Sequence, residues 1–132
     1  MTVFDKNIGA AGAFILAITI ALGAFGAHGL KEMLDASALS TFEVGVRYQM
    51  YHGLAILILS LVPSIPQNSK KRVFWLFVMG VLFFSGSIYL LSLNSILPFE
   101  TTIIGFVTPI GGLLFIIGWI ILALGILKLK NQ

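Results

Sequence analysis

Residues 8–27 carry not one charged side chain. No motif in the chain constrains its fold as tightly. The hydrocarbon core of a bilayer is about 30 Å thick and a helix rises about 1.5 Å per residue, so about 20 apolar residues cross it. Three further runs follow: residues 45–62, with Arg47 near their start, residues 73–93 and residues 103–127. Backbone N–H and C=O groups in hydrocarbon must be paired within their own segment, so each run is expected to be α-helical. The predicted fold is therefore all-α: one integral-membrane domain over residues 1–132, built as a four-helix transmembrane bundle. Only 10% of residues are charged, where an ordinary soluble domain is nearer about 25%. There are too few polar side chains here to cover a globule in water.

The breaks between runs agree. Pro63 and Pro66 in "PSIPQNSKKR" end the second run, and "NSILPFETT" separates the third from the fourth. The stretch from His28 to Val44 is less plain. Leu30, Met33, Leu34, Leu39 and Phe42 recur near helical spacing, with Lys31, Glu32, Asp35 and Glu43 between them. This amphipathic segment between the first and second helices either lies on the membrane surface or extends the second helix. Glu43 and Arg47 stand one helical turn apart, which suits an ion pair. Pro109 is expected to kink the last helix.

Basic residues set an expected orientation. Lys6, Lys70, Lys71, Arg72, Lys128 and Lys130 fall on one side of the four spans, and Lys31 and Arg47 on the other. The positive-inside rule then places both termini in the cytoplasm. The first run is read as a span and not a signal peptide, because the run is long and "MTVFDK" is barely basic.

Several functions are excluded or weakened. The chain has no cysteine, which removes thiolate metal sites, iron–sulfur clusters and thiol nucleophiles. Its net charge of +3 comes from short basic patches with no aromatic-studded stripe, so no nucleic-acid partner is expected. Gly23, Gly26 and Gly29 do not have the G-x-G-x-x-G spacing of a dinucleotide loop, and no G-x-S-x-G elbow occurs. The last two spans carry no ionisable acid, base or histidine, which argues against a proton relay. No catalytic residue, metal site or cofactor is assigned.

What remains is packing and one polar cluster. Gly9, Ala13, Ala17 and Ala21 recur every fourth residue, and Gly111, Gly118 and Gly125 every seventh. Small-residue stripes of this kind let helices approach closely in lipid, inside one bundle, in a homo-oligomer or against a membrane-protein partner. The stretch "VRYQMYHGLA" crowds Arg47, Tyr48, Gln49, Tyr51 and His52 at the outer end of the second span. His28 and Glu32 leave the first span at the same end. Intramembrane polarity of this kind has three readings here. It is a structural belt and corner, or a surface that takes a lipid headgroup or quinone, or a haem or metal site using both histidines. Within "GAFGAHGL" the glycines are expected to allow close approach and a sharp turn, with His28 at the corner.

Three motifs, "GAFGAHGL", "FEVGVRYQMYHGLAIL" and "TPIGGLLFIIGW", resemble in order and spacing the YgdD/YwdK-like family of small bacterial membrane proteins, which has small eukaryotic transmembrane relatives. The matching residues are Gly23, Gly26, His28, Gly29, Arg47, Tyr48, Tyr51, His52, Thr108, Pro109, Gly111 and Gly112. The resemblance implies a four-helix protein of the bacterial cytoplasmic (inner) membrane. It implies no catalytic residues. The functional expectation is a non-enzymatic accessory or scaffold subunit, with a lipid- or quinone-binding protein as the alternative. Partners are then the lipid bilayer and a second copy or another membrane protein.

Overall fold

The computed structural model describes residues 1–131, which are helical with no strand among them. Helix α1 runs Val3–His28, α2 Ala36–Leu61, α3 Gln67–Ser92 and α4 Val107–Leu127. Three stretches, Val3–Glu32, Gln67–Ser92 and Thr102–Leu127, are long and apolar enough to cross a membrane. α2 is as long as α1, but Glu43, Arg47, Gln49 and His52 in its first two-thirds make it less apolar than the other three.

Local chemistry sets the helix ends. Thr2 caps α1: its hydroxyl accepts the Asp5 N–H at 3.0 Å, and the Asp5 carboxylate accepts the Thr2 N–H at 3.1 Å. Asp35 caps α2 by accepting the Ala38 N–H at 2.7 Å. The amphipathic segment is thus a short Leu30–Glu32 turn followed by the first turns of α2, with no separate surface helix. Leu30, Leu34 and Phe42 form a small buried core at this end. One expectation about the corner is corrected. No described residue has a positive φ, and Gly29 is ordinary right-handed backbone at φ −68°, so it makes no left-handed turn. Gly26 serves approach instead: a methyl there would sit 2.9 Å from the Phe42 ring. Pro109 is the third residue of α4, just after the 3₁₀ turn Thr102–Phe106 that leads into the helix.

Small residues set how the helices meet. α1 presses Ile8, Gly12, Thr19 and Gly26 onto α2, and a methyl on Gly12 would lie 2.8 Å from the Leu57 backbone nitrogen. The stripe read from the sequence is rotated from this face. Gly9 abuts Ser60, but Ala13, Ala17 and Ala21 are exposed. At 3.6 residues per turn the three alanines point away from α2. In α4, a methyl on Gly118 would lie 2.7 Å from the Phe77 ring and one on Gly125 3.6 Å from Ser69, both on α3. Gly111 packs against the backbone at Phe83 and Phe84. There α3 widens into a π turn, Val81–Ser85. Ser85 donates to the Gly45 carbonyl of α2 at 2.7 Å, and the Ser87 and Thr108 hydroxyls share a bond of 2.6 Å.

The helices do not close into a symmetric four-helix bundle. α2, α3 and α4 surround a shared core of Ile56, Leu59, Val73, Phe77 and Phe115. α1 lies along the far side of α2 and makes its helix packing with α2 alone. It sends Ile8 into the same core and meets α3 near the start of α1. There Lys70 donates to Asp5 at 2.7 Å, Gln67 donates to the same carboxylate at 3.2 Å, and Phe4 meets Phe74 edge-on. Lys70, counted from sequence as one of the basic rim residues, is fully buried in this pair.

Two predictions follow from this packing. Gly111→Leu drives a side chain into the α3 backbone and lowers stability by about 1–3 kcal/mol or more, as overpacking does, read by thermal melts in detergent against Gly105→Ala, where an added methyl meets only open space. Lys70→Met and Asp5→Asn each lower the melting temperature, and the double variant costs much less than their sum, because either change alone strands the other partner. Additive effects would show that the pair is not coupled.

Candidate functional site

α2 positions most of the polar residues singled out from sequence. One turn separates Tyr48 from His52 and Arg47 from Tyr51, so the two pairs occupy adjacent faces. The structure separates the residues by burial. His52 is 3% exposed, whereas His28, Glu32, Arg47, Tyr48 and Tyr51 are all exposed.

His52 has both ring nitrogens engaged. Nδ1 stands 2.7 Å from the Tyr48 carbonyl, and the Trp119 indole N–H donates to Nε2 at 3.0 Å. A carbonyl only accepts, so Nδ1 carries the proton and Nε2 offers its lone pair to Trp119. The ring is stacked on Phe115 at 3.6 Å between centroids and meets Phe77 edge-on at 5.0 Å. His52 therefore ties α2 to α4 at a level where few backbone contacts do so. In this arrangement it has no lone pair left for a metal.

The remaining residues are dispersed. Tyr48 packs against Phe84 at 4.8 Å and against Tyr51 at 5.7 Å. With Gly112, Ile116 and Trp119 it lines a shallow lipid-facing hollow over His52. Arg47 turns to the other side, into the cleft between α1 and α2 beside Gly23 and Val46. The ion pair expected between Glu43 and Arg47 is not formed: among the described residues the ion pair present is Asp5–Lys70. His28 and Glu32 lie near the start of α2. Gly26 is level with Phe42, and His52 is ten residues further along α2, about 15 Å by helix rise. The two histidines do not converge on one ion, and the six residues do not form one site.

Sequence reading missed two polar pairs. The first is Asp5–Lys70, whose signal was the T-x-x-D capping pattern at the start of α1. The second is Gln49–Tyr89: Gln49 is 5% exposed, and its Oε1 accepts the Tyr89 hydroxyl at 2.7 Å. Gln49 was visible in "VRYQMYH", but its partner lies forty residues away with no local cue.

Outside the described contacts, Glu100 shows how the exposed loops settle their charges. Its carboxylate accepts the Thr102 N–H at 3.1 Å, which holds its pKa below the usual value.

His52→Leu should leave the Trp119 N–H without its acceptor, costing on the order of 1–3 kcal/mol, while the Tyr48 carbonyl keeps its helical bond. The indole N–H resonance of Trp119, one of two in the chain, is expected to move upfield in the variant. An unchanged resonance would disprove the His52–Trp119 bond.

Comparison with known proteins places this geometry in a family. Residues 22–112 match the family described as protein of unknown function (DUF423). The chain is similar to a UPF0382 membrane protein of Staphylococcus saprophyticus, 44% identical over 89% of this chain and 94% of the relative. It is also similar to one of Haemophilus influenzae, 44% identical over 85% of this chain and 86% of the relative. The UPF0382 membrane protein YwdK of Bacillus subtilis is 36% identical over 89% of this chain and 93% of its own length. No solved structure matches.

Proposed function

The chain belongs to the DUF423 family of membrane proteins, and we propose that it is a non-enzymatic scaffold or accessory subunit of a bacterial cytoplasmic-membrane assembly, self-associating through α1. All four helices cross the bilayer in this reading, α2 included, with both termini in the cytoplasm. The distribution of Lys and Arg supports that orientation, six on the terminal side against two on the other.

One observation carries the proposal. α1 packs on α2 along one face and leaves the opposite face bare, and that bare face is the smooth one, with Ala10, Ala13, Ala17, Ala21 and Ala24 exposed along it. A helix turned only toward lipid gains nothing from alanines there, since larger apolar side chains suit lipid equally. A helix that meets another helix gains close approach. Phe14, Ile18 and Ile20 flank the stripe as exposed ridges. The polar interior supports a non-catalytic role. Every buried side-chain nitrogen and oxygen among the described residues has a partner, His52 included, which leaves no buried nucleophile or base free.

The absence of cysteine makes the test direct. Ala17→Cys is expected to cross-link into dimers in native membranes on mild oxidation, and Ile120→Cys, on the exposed face of α4, is expected not to. A protein that stays monomeric at both positions and runs as a monodisperse monomer in mild detergent overturns the proposal.

A further inference from the structure

α1 and α3 touch at the Asp5–Lys70 end and diverge above it, because each packs on a different side of α2. The divergence opens a crevice of about 300 Å³. Ile15 and Ile18 form one wall, Val81 and Leu82 the other, and Gln49 and Tyr89 stand at its base. Its walls are otherwise apolar. Gly86 also borders it, and a methyl built there would meet nothing within 4 Å.

Gln49 makes this crevice more than a packing fault. Its side chain is more than nine-tenths buried, and its single hydrogen bond is the one its Oε1 accepts from Tyr89. The amide N–H₂ has no protein partner, and since no buried side-chain nitrogen among the described residues lacks one, it is open to the crevice that Gln49 lines. In hydrocarbon an amide donor without an acceptor costs on the order of 1–3 kcal/mol. A carbonyl oxygen entering the crevice would recover that cost.

Depth narrows the class of molecule. A methyl on Gly53 would touch Leu16, near the middle of the uncharged run of α1, and Gln49 stands one turn from Gly53 toward the His28 end. That puts Gln49 about 6 Å from the centre of the hydrocarbon by helix rise. Phospholipid ester groups sit at the edge of the core, about 15 Å from its centre, too far out to meet it. We infer that the α1–α3 crevice is a binding site for a lipid-soluble carbonyl compound of the quinone class, whose ring is clamped between Ile15 and Leu82 and whose carbonyl oxygen accepts the Gln49 N–H. The site adjoins the alanine face of α1 at Ile18 and does not depend on self-association. His28, Glu32, Arg47, Tyr48, Tyr51 and His52 do not line it.

The test uses the full chain, ¹⁵N-labelled, in phosphatidylcholine nanodiscs, titrated with decyl-benzoquinone and, as an acceptor-free control, decylbenzene. With the quinone, the Gln49 side-chain amide signal, assigned by its loss in Gln49→Leu, is expected to shift saturably downfield. Decylbenzene is expected to leave it in place. Gln49→Leu and Gly86→Phe should each weaken quinone binding at least tenfold, followed on Ile15 and Ile18 methyl signals. At Gly86 an added Cβ meets nothing within 4 Å, so Gly86→Phe enters the crevice at a position open to a side chain, and its thermal melt in nanodiscs, expected to match the parent, separates loss of the site from loss of structure. The inference fails if decylbenzene binds as well as the quinone, if both variants bind normally, or if the amide does not move at saturating quinone because phospholipid chains alone occupy the crevice.

Discussion

The structure depends on one constraint: a polar group removed from water must find its partner inside the protein. The chain meets it with short side chains folded back on their own helices. Thr19 donates to the Ile15 carbonyl, Ser60 to Leu57 and Ser92 to Tyr89. Such bonds cost no interhelical geometry. Where a polar group does reach across, it joins two helices, as Ser85 to Gly45, Ser87 to Thr108, His52 to Trp119 and Gln49 to Tyr89. All four crossings lie in the α2–α3–α4 group. α1 has none in its middle, and its polar tie is the Asp5–Lys70 pair at one end.

That distribution accounts for the shape. Between apolar helices in lipid, association rests on van der Waals contact and hydrogen bonds. α2, α3 and α4 have both, with glycines that bring backbones together and hydrogen bonds that fix register. At Gly111 the approach is so close that α3 widens into a π turn, and the Ser87 hydroxyl accompanies it by donating to the Phe83 carbonyl at 2.6 Å. α1 has the contact surface, through Gly12 and Gly26, and is pinned at Asp5. It is therefore held as a rider on α2 and not as a fourth wall.

Much of this was legible in the sequence, and the rest was not for identifiable reasons. Uncharged runs located the helices because backbone pairing in hydrocarbon permits little else. The heptad glycines of α4 fall on its contact face with α3, because that helix has one dense neighbour. The four-residue stripe of α1 did not fall on its α2 contact, because spacing fixes which residues share a face but not which neighbour that face meets. The buried contact follows Gly12, Thr19 and Gly26, a stripe equally present in the sequence. The polar cluster failed as a single site for a related reason. His28 and His52 are near each other in any list of rare residues, yet a continuous α2 from Ala36 sets them at different depths. Trp119 and Tyr89, the partners that settle His52 and Gln49, are separated from them by 67 and 40 residues. No local pattern announces a contact of that range.

A single geometric fact underlies both proposals. Because α1 packs mainly on α2, it has a side turned outward and, beyond the Asp5–Lys70 end, a side turned toward α3 across a gap. The outward side is lined with exposed alanines, small residues that suit close approach of another helix. The inward side looks across an apolar gap onto an amide donor, open to that gap, that lacks an acceptor. Had α1 closed against α3, Gln49 would be sealed in, and a sequence under no demand beyond packing would have an apolar residue at that position. Instead the glutamine has one donor uncommitted, and Gly86 opposite leaves the space beside it open. An uncommitted donor next to an unfilled volume is costly in hydrocarbon if it stays empty, and a carbonyl-bearing occupant removes both costs together.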